Sequence, residues 1–467
     1  MPVAAAVPSF AAELRAILRL AGPMIVAQLA QTGIALVDTV MAGRLSAADL
    51  AAVSLGSSIW LTVFLSFAGV LMALAPLVSQ ALGAGRQADI GPLVRQGVWL
   101  GLVLGGLTFW LVRHAGPVLL WVDAAPEVAL KTQQFLAALS WGMPAVMVYR
   151  VFYPFASAMG KTRPIMWVTL ASLLLAIPLN YLLIYGKLGL PQMGAEGCGW
   201  ATAICCWFNG LALGGYCALN GFFRPFDLWR WCGPQWRVQW RLLRLGMPIG
   251  LAYLVEISAF TVVALLLARF GATVVAAHQI TLNLSAILYM VPQSLSVALT
   301  VRVGLAVGAG DEPAAARTCR TGLTLALGFA ACSAIGIWLT APWLAACYSN
   351  DPQVIALAAG LLLFAAVYQM PDAAQVCAAG ALRGYRITTL PMLILVLAFW
   401  GVAVPLGYQA GLHGLPGWQH GQPLAAAGFW GALVLSLFLA AACLLLYLSH
   451  VVRLRQHRPA SRAPIGV

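Results

Sequence analysis

LRLAGPMIVAQLAQTGIALVDTVMAGRL (Leu18–Leu45) and LRLGMPIGLAYLVEISAFTVVALLLARF (Leu243–Phe270) open on nearly the same hexapeptide, 225 residues apart. Each then continues as an apolar stretch long enough to cross a bilayer, which takes roughly 20 residues of helix. Each carries a single carboxylate inside the stretch, Asp38 in the first and Glu256 in the second. The 225-residue spacing recurs further on: Arg44 matches Arg269, Ala51-Ala52 matches Ala276-Ala277, and the GAG at Gly83 to Gly85 matches the GAG at Gly308 to Gly310. Met143-Pro144 and Met370-Pro371, then Pro164 and Pro391, repeat at 227. The chain is therefore a duplication, read from its internal period before any single motif.

Twelve apolar runs fall at roughly 20–42, 50–81, 93–117, 131–157, 164–186, 196–220, 245–269, 273–305, 318–346, 354–382, 388–411 and 424–449. Runs apolar all round at this length predict spanning helices, because lipid offers the backbone no hydrogen-bond partners. A membrane barrel would show short alternating strands instead. The predicted fold is an all-α integral membrane protein of twelve transmembrane helices in two six-helix lobes. Six is even, so both copies start on the same side, as parallel repeats about a pseudo-two-fold along the membrane normal, with a cleft between them. The boundaries follow: an N-terminal lobe over 1–222, a cytoplasmic linker over 223–242, a C-terminal lobe over 243–450 and a basic cytoplasmic tail over 451–467.

The whole composition agrees. Of 467 residues, 62% are hydrophobic and 8% charged, with a mean hydropathy of +0.90, against about a quarter charged in soluble domains. The net charge of +13 is spread over short loops rather than gathered in one basic segment, which argues against nucleic acid as a partner. Taking alternate connections from the N-terminus, twenty Lys and Arg residues lie on one side. Five lie on the other (Arg44, Arg113, Lys131, Lys187, Arg269), and Arg150 lies inside a span. That asymmetry predicts that both termini and the linker lie in the cytoplasm. The linker, RPFDLWRWCGPQWRVQWR (Arg224 to Arg241), is rich in Arg and Trp and suits the lipid headgroup level. The apolar run after Glu13, Arg15 and Arg19 is too long for a signal-peptide core, so no cleavage is expected. Ten scattered cysteines, with Cys205-Cys206 the only adjacent pair, read as small core residues rather than a metal or disulfide framework.

Of the thirteen acids, ten fall in loops, tails or helix ends (Asp123 among them), and three lie at membrane depth: Asp38, Glu256 and Asp372. Such groups are costly in hydrocarbon and mark ion pathways or substrate sites. Fixed packing pairs would need buried bases, and Arg150, near enough to the cytoplasmic end of its helix to snorkel out, is the one candidate. A carboxylate without a fixed partner is held either by a proton, since hydrocarbon favours the neutral form, or by a mobile cation. Tyr368 precedes Asp372 by four residues and Tyr253 precedes Glu256 by three, so each ring shares a face with its acid; a carboxylate beside an aromatic face suits a bulky organic cation. Each Tyr can equally be a core aromatic bonded to a neighbour. Pro371 frees the carbonyl of Val367, either as a metal-cation ligand beside Asp372 or as a simple kink. Asn180 and Thr202 are polar residues in the fifth and sixth spans. His278 and Gln279 read as helix-to-helix hydrogen-bonding groups rather than proton relays, and the GAG stretches as loop turns, lacking the strand and G-K-[ST] of a phosphate loop.

The segment Pro23 to Trp60, PLVSQALGAGR (Pro76 to Arg86), Glu256, Pro371-Asp372 and the later LRG (Leu382 to Gly384) together resemble the multidrug and toxic compound extrusion (MATE) transporters, in their NorM-like branch, over nearly the whole chain. The resemblance implies a secondary antiporter, not an enzyme. It would export small cationic lipophilic drugs, fluoroquinolone-like and dye-like, in exchange for Na+ or H+, with no cofactor beyond that ion. It implies two lobes that rock about a central cavity, embedded among membrane lipids. It also implies a C-lobe cation site, Na+ included, of Glu256, Asp372 and Tyr368, and an N-lobe site of Asp38 with Asn180 and Thr202. One departure stands out: NorM-like proteins often carry a second Asn where this chain has Ala176, which predicts a weaker or rearranged N-lobe site. A lipid flippase would want Arg where this chain has acids, and a membrane enzyme would want a His/Asp or Ser/His cluster that the sequence lacks. The duplicated design makes one chain sufficient, so a monomer is expected.

Overall fold

The structure, a computed structural model, describes residues 10–121, 125–189, 191–414 and 424–457. Asp123 and the end of the basic tail, with Arg458 and Arg462, lie outside the described residues. Regular structure among the described residues is helical throughout: α1 (Phe10–Leu45), α2 (Ala47–Leu71), α3 (Leu74–Gly83), α4 (Ile90–Arg113), α5 (Gly116–Trp121), α6 (Pro126–Ser140), α7 (Met143–Ala158), α8 (Thr162–Tyr185) and α9 (Ala195–Leu219), then α10 (Trp236–Leu267), α11 (Ala272–Gly308), α12 (Glu312–Ala346), α13 (Pro352–Gly384), α14 (Thr389–Val396), α15 (Val404–Tyr408) and α16 (Ala425–Gln456). Among the described residues, eleven helical segments are long and apolar enough to span, and α6 with α7, bent by 50° at their junction, makes a twelfth when the pair is taken as one span.

The expected runs therefore map onto helices, with four departures, one of them a break at Met72-Ala73 that divides the second run between α2 and α3. The fourth run breaks at Gly142, where Pro144 starts a new helix. The eleventh is not uniformly α-helical: Leu397–Ala403 and Gln409–His413 are π-helical on either side of α15. Pro405 enters there with no amide hydrogen to give. A short extra helix, α5, follows the third span. The GAG stretches end α3 and α11 as loop turns, with Gly85 and Gly310 at φ +72° and +75°, the left-handed region that glycine enters without steric cost.

Contacts gather the chain into two units. One holds Gly22–Gly250; the other joins the described residues before Gly22 to those from Leu251 on. Within the first, α9 lies so close to α7 that a Cβ on Gly210 would sit 2.8 Å from the Ala145 carbonyl oxygen. Small residues at helix crossings let backbones meet where lipid supplies no hydrophobic drive. Asp49, buried at the start of α2, ties three helices: it bonds Ser46, accepts from the Ala195 amide at the start of α9 at 2.9 Å, and pairs with Lys131 of α6 at 3.0 Å. At the other end of the unit, the buried Gln96 of α4 donates to the Gly233 carbonyl (2.9 Å) and accepts from the Gln235 amide (2.8 Å) and the Gln239 side chain (2.8 Å). The Trp99 indole donates to the Cys232 carbonyl at 2.8 Å. The linker is thus strapped to α4, with Trp229, Trp231, Trp236 and Trp240 left exposed among its arginines.

In the second unit α13 is central, packed by α11, α12 and α16. A Cβ on Gly380 would fall 2.3 Å from Ser296 Oγ. That hydroxyl donates to the Val376 carbonyl at 2.7 Å and accepts from the buried Arg383 guanidinium at 2.7 Å. Buried Glu13, at the start of α1, accepts from Arg302 of α11 and from Thr318 of α12 (2.8 Å). The ten cysteines are free; six are buried, as expected of core residues, but Cys332 and Cys347 are exposed.

Candidate functional site

Asp38 lies well along α1, and two other helices of its unit bring it partners. Asn180 of α8 donates its amide to Asp38 Oδ1 at 2.7 Å and to its own helix at the Ala176 carbonyl at 2.9 Å. The Thr202 hydroxyl of α9 lies 3.0 Å from Asp38 Oδ2 and 3.1 Å from the Cys198 carbonyl. The three residues picked from the sequence are therefore brought together. Position 176, an alanine here, contributes its backbone carbonyl. Cys198, one turn before Thr202 on the same face, also brings its thiol close to the carboxylate, and the sequence reading did not single it out. Asn180 is fully buried, both its amide hydrogens are used, and its carbonyl oxygen has no protein partner. A buried acceptor left open beside a buried carboxylate is an arrangement that a proton or a metal cation would complete.

Glu256 of α10 and Asp372 of α13 lie close enough to feel each other's charge, and the phenols of Tyr368 and Tyr289 feel both. Asp372 is buried, with the Gln375 amide 3.3 Å from its Oδ1; Glu256 is half-buried. Tyr368 is buried with its ring edge-on to Trp430, centroids 6.1 Å apart. The hydroxyl of Tyr253 accepts from the Gln293 amide at 2.6 Å, and Tyr289 reaches the same Gln293 at 3.4 Å. Tyr289 and Gln293, one turn apart on α11, are members of this cluster that the sequence reading missed. An aromatic residue in an apolar span is ordinary; only the Gln one turn later hinted at a polar face. Pro371 leaves α13 unbroken from Pro352 to Gly384. His278 accepts from the Trp430 indole at 3.2 Å, a helix-to-helix bond as expected, whereas Gln279 is exposed.

No basic side chain is paired with these three acids among the described residues. The ion pairs lie elsewhere, at Arg86–Asp89, Lys131 with Asp49 and Glu127, Arg302–Glu13 and Arg455–Glu312. The half-buried Arg150 places its guanidinium 4.8 Å above the ring of buried Phe64. Nor do His, Cys, Asp and Glu side chains group, among the described residues, as a transition-metal site. What the two centres offer is oxygen: carboxylates, amide carbonyls and hydroxyls, the donors of hard cations and protons.

Fold and site together define a multi-pass membrane protein that holds carboxylates among neutral partners at membrane depth, an arrangement of ion-handling transporters. A family model described as MatE matches residues 23–182 and 248–409, one stretch in each copy of the repeat. The chain belongs to the MATE family, in its NorM-like branch, and is a multidrug efflux transporter of that family. It is 45% identical to a probable multidrug resistance protein NorM of Chromobacterium violaceum over 96% of both chains. It is 43% identical to the multidrug resistance protein PmpM of Pseudomonas aeruginosa over 97% of this chain and 94% of that one. Among solved structures, the MATE transporter NorM-NG, in complex with a dye and a monobody, is 37% identical with a TM-score of 0.76, over 95% of this chain and 96% of that one. The eukaryotic MATE transporter AtDTX14, 19% identical with a TM-score of 0.86 over 96% of this chain and 99% of that one, shares the fold.

Proposed function

We propose that this transporter exports lipophilic organic cations, fluoroquinolone-like and dye-like, from the bacterial cytoplasm in exchange for inward-moving Na+ or H+, as a monomer with both termini cytoplasmic. The observation that carries the reading is the pair of carboxylate centres, Asp38 with Asn180 and Thr202, and Glu256 with Asp372, without a basic partner among the described residues. Each carboxylate is stable in hydrocarbon only when a proton or cation accompanies it. Unloading to one side and reloading from the other then couples two fluxes. Glu256 and Asp372, flanked by Tyr368, Tyr289 and Tyr253, present paired negative charge beside aromatic faces, a setting for an organic cation or for Na+ held by the carboxylates and the Tyr368 hydroxyl. Asp38, with Asn180 and Thr202 around it, is the second ion site. One charge crossing about 100 mV releases ~2.3 kcal/mol, and about 1.4 kcal/mol supports a tenfold gradient, so a single ion sustains more than tenfold drug exclusion.

The test is dye efflux from vesicles with sodium and pH gradients imposed separately. Export should follow at least one of the two gradients, and Asp372→Asn should abolish it in protein that still elutes as a folded species. Full transport by that variant would remove the central claim.

A further inference from the structure

The mechanism above has no role for Arg150, and the structure makes that residue conspicuous. It is half-buried and lies on α7 eight residues before Ala158, about 12 Å along the helix from its C-terminal end. Its guanidinium rests on the face of Phe64 at 4.8 Å and near Tyr153 at 5.6 Å, and Phe64 is itself stacked on Trp60, centroids 5.0 Å apart and rings 5° from parallel. The aromatic faces hold the cation but give it no hydrogen-bond acceptor. Nε is buried without a partner, and no carboxylate pairs with the group among the described residues. Asp38 does not neutralise it either: the thiol of Cys206 is within electrostatic reach of both charges, yet Asp38 takes its bonds from Asn180 and Thr202.

An unpaired guanidinium inside a span is expensive, and its planar fork matches an oxyanion, carboxylate or phosphate; of the two, the carboxylate is the one that an amine-bearing drug commonly carries. The duplication adds a second observation. Phe64 stands 225 residues before Tyr289, the equivalent place in the repeat, and Tyr289 is the aromatic that faces the acids Glu256 and Asp372. Equivalent aromatic positions thus face negative charge in one unit and positive charge in the other.

We propose that Arg150, seated on Phe64, receives the carboxylate of zwitterionic substrates, so that acids carrying an amine are bound in preference to their neutralised esters. The proposal rests on the export reading above and names a substrate class within it. The test is equilibrium binding to the purified full-length protein of three probes: an amino-substituted fluoroquinolone acid, its methyl ester, and ethidium, a cation with no carboxylate. The wild-type protein should favour the acid over the ester by about tenfold, the scale of a charge-assisted hydrogen-bonded pair. Arg150→Met should bring that ratio to about one with ethidium affinity held within about twofold, and Arg150→Lys, which keeps the charge but not the fork, should fall between. A wild-type ratio near one overturns the proposal whatever the variants do, as does a ratio in Arg150→Met equal to that of the wild type. Failure of the wild type to bind any of the three probes would instead remove the organic-cation reading, and this proposal with it.

Discussion

Asn180 illustrates how much one side chain decides. Its two amide hydrogens go to Asp38 and to the Ala176 carbonyl, so the place where NorM-like proteins often carry a second Asn here works through its backbone. Replacing Asn180 by Leu strips a donor from the carboxylate and removes the open carbonyl oxygen beside it. Losing a hydrogen bond to a charged group costs on the order of 1.5–3 kcal/mol, so Asn180→Leu should slow efflux by roughly tenfold or more. Thr202→Val keeps the shape, and Thr202 also has the Cys198 carbonyl within reach; it should slow efflux less. Initial rates of dye efflux, normalised to folded protein, check both, and a larger loss in Thr202→Val than in Asn180→Leu would contradict the assignment. At this scale Asp38, Glu256 and Asp372 were legible because charge is so rare in an apolar span that every instance asks for a reason. Cys198 and Tyr289 were not, because a thiol or phenol among apolar residues is ordinary core material until the fold brings a carboxylate next to it.

Helices α11 and α13 together set the geometry of the acidic cluster, since α11 supplies Tyr289 and Gln293 and α13 supplies Tyr368 and Asp372. Their register depends on Gly380, which leaves room for Ser296 to bond the Val376 carbonyl and the Arg383 guanidinium. A methyl group at Gly380 would overlap both the hydroxyl and the backbone carbonyl of Ser296, and overpacking of this kind costs about 1–3 kcal/mol. Gly380→Ala should therefore lower the midpoint of thermal unfolding in detergent by several degrees, while Gly328→Ala, where the added carbon meets nothing within 4 Å, should leave it nearly unchanged; equal midpoints for the two variants would show that the close approach is not what holds these helices. Helix positions were readable from apolar run length, but their continuity was not. The same Met-Pro pair breaks one span, at Met143-Pro144 after Gly142, and leaves another intact, at Met370-Pro371 after Gln369. Proline removes one hydrogen bond in each; what differs is the residue before the pair. Gly142 lets α9 approach so closely that a Cβ there would lie 2.9 Å from the Ala203 Cα, whereas Gln369 is an ordinary buried helical residue.

Across the whole molecule, duplication supplies the scaffold and not the charges. The positions equivalent to Asp38, Glu256 and Asp372 in the other copy are Val263, Gln31 and Ala145, so each unit acquired its own ionisable groups on a shared pattern of helices. What the duplication does fix is sidedness, because two even-numbered copies must begin on the same face, and the Lys and Arg bias then says which face is cytoplasmic. Native cysteines can read that orientation directly. Cys347 is exposed just past the end of α12, a helix that begins at Glu312 on the side of the basic loops, so it belongs on the outer face. Cys232, half-buried in the linker, belongs on the cytoplasmic face. Cys332 is exposed as well but lies within α12, where the bilayer keeps it beyond the reach of a charged reagent. A membrane-impermeant maleimide added to sealed spheroplasts should therefore label the protein at one site, and Cys347→Ser should remove that label. Permeabilising the membrane should add Cys232, more slowly because the linker is strapped to α4 through Gln96, and Gln96→Leu should speed that second reaction without changing the first. Labelling of Cys232 in sealed spheroplasts would place the linker outside and reverse the direction in which both carboxylate centres must work.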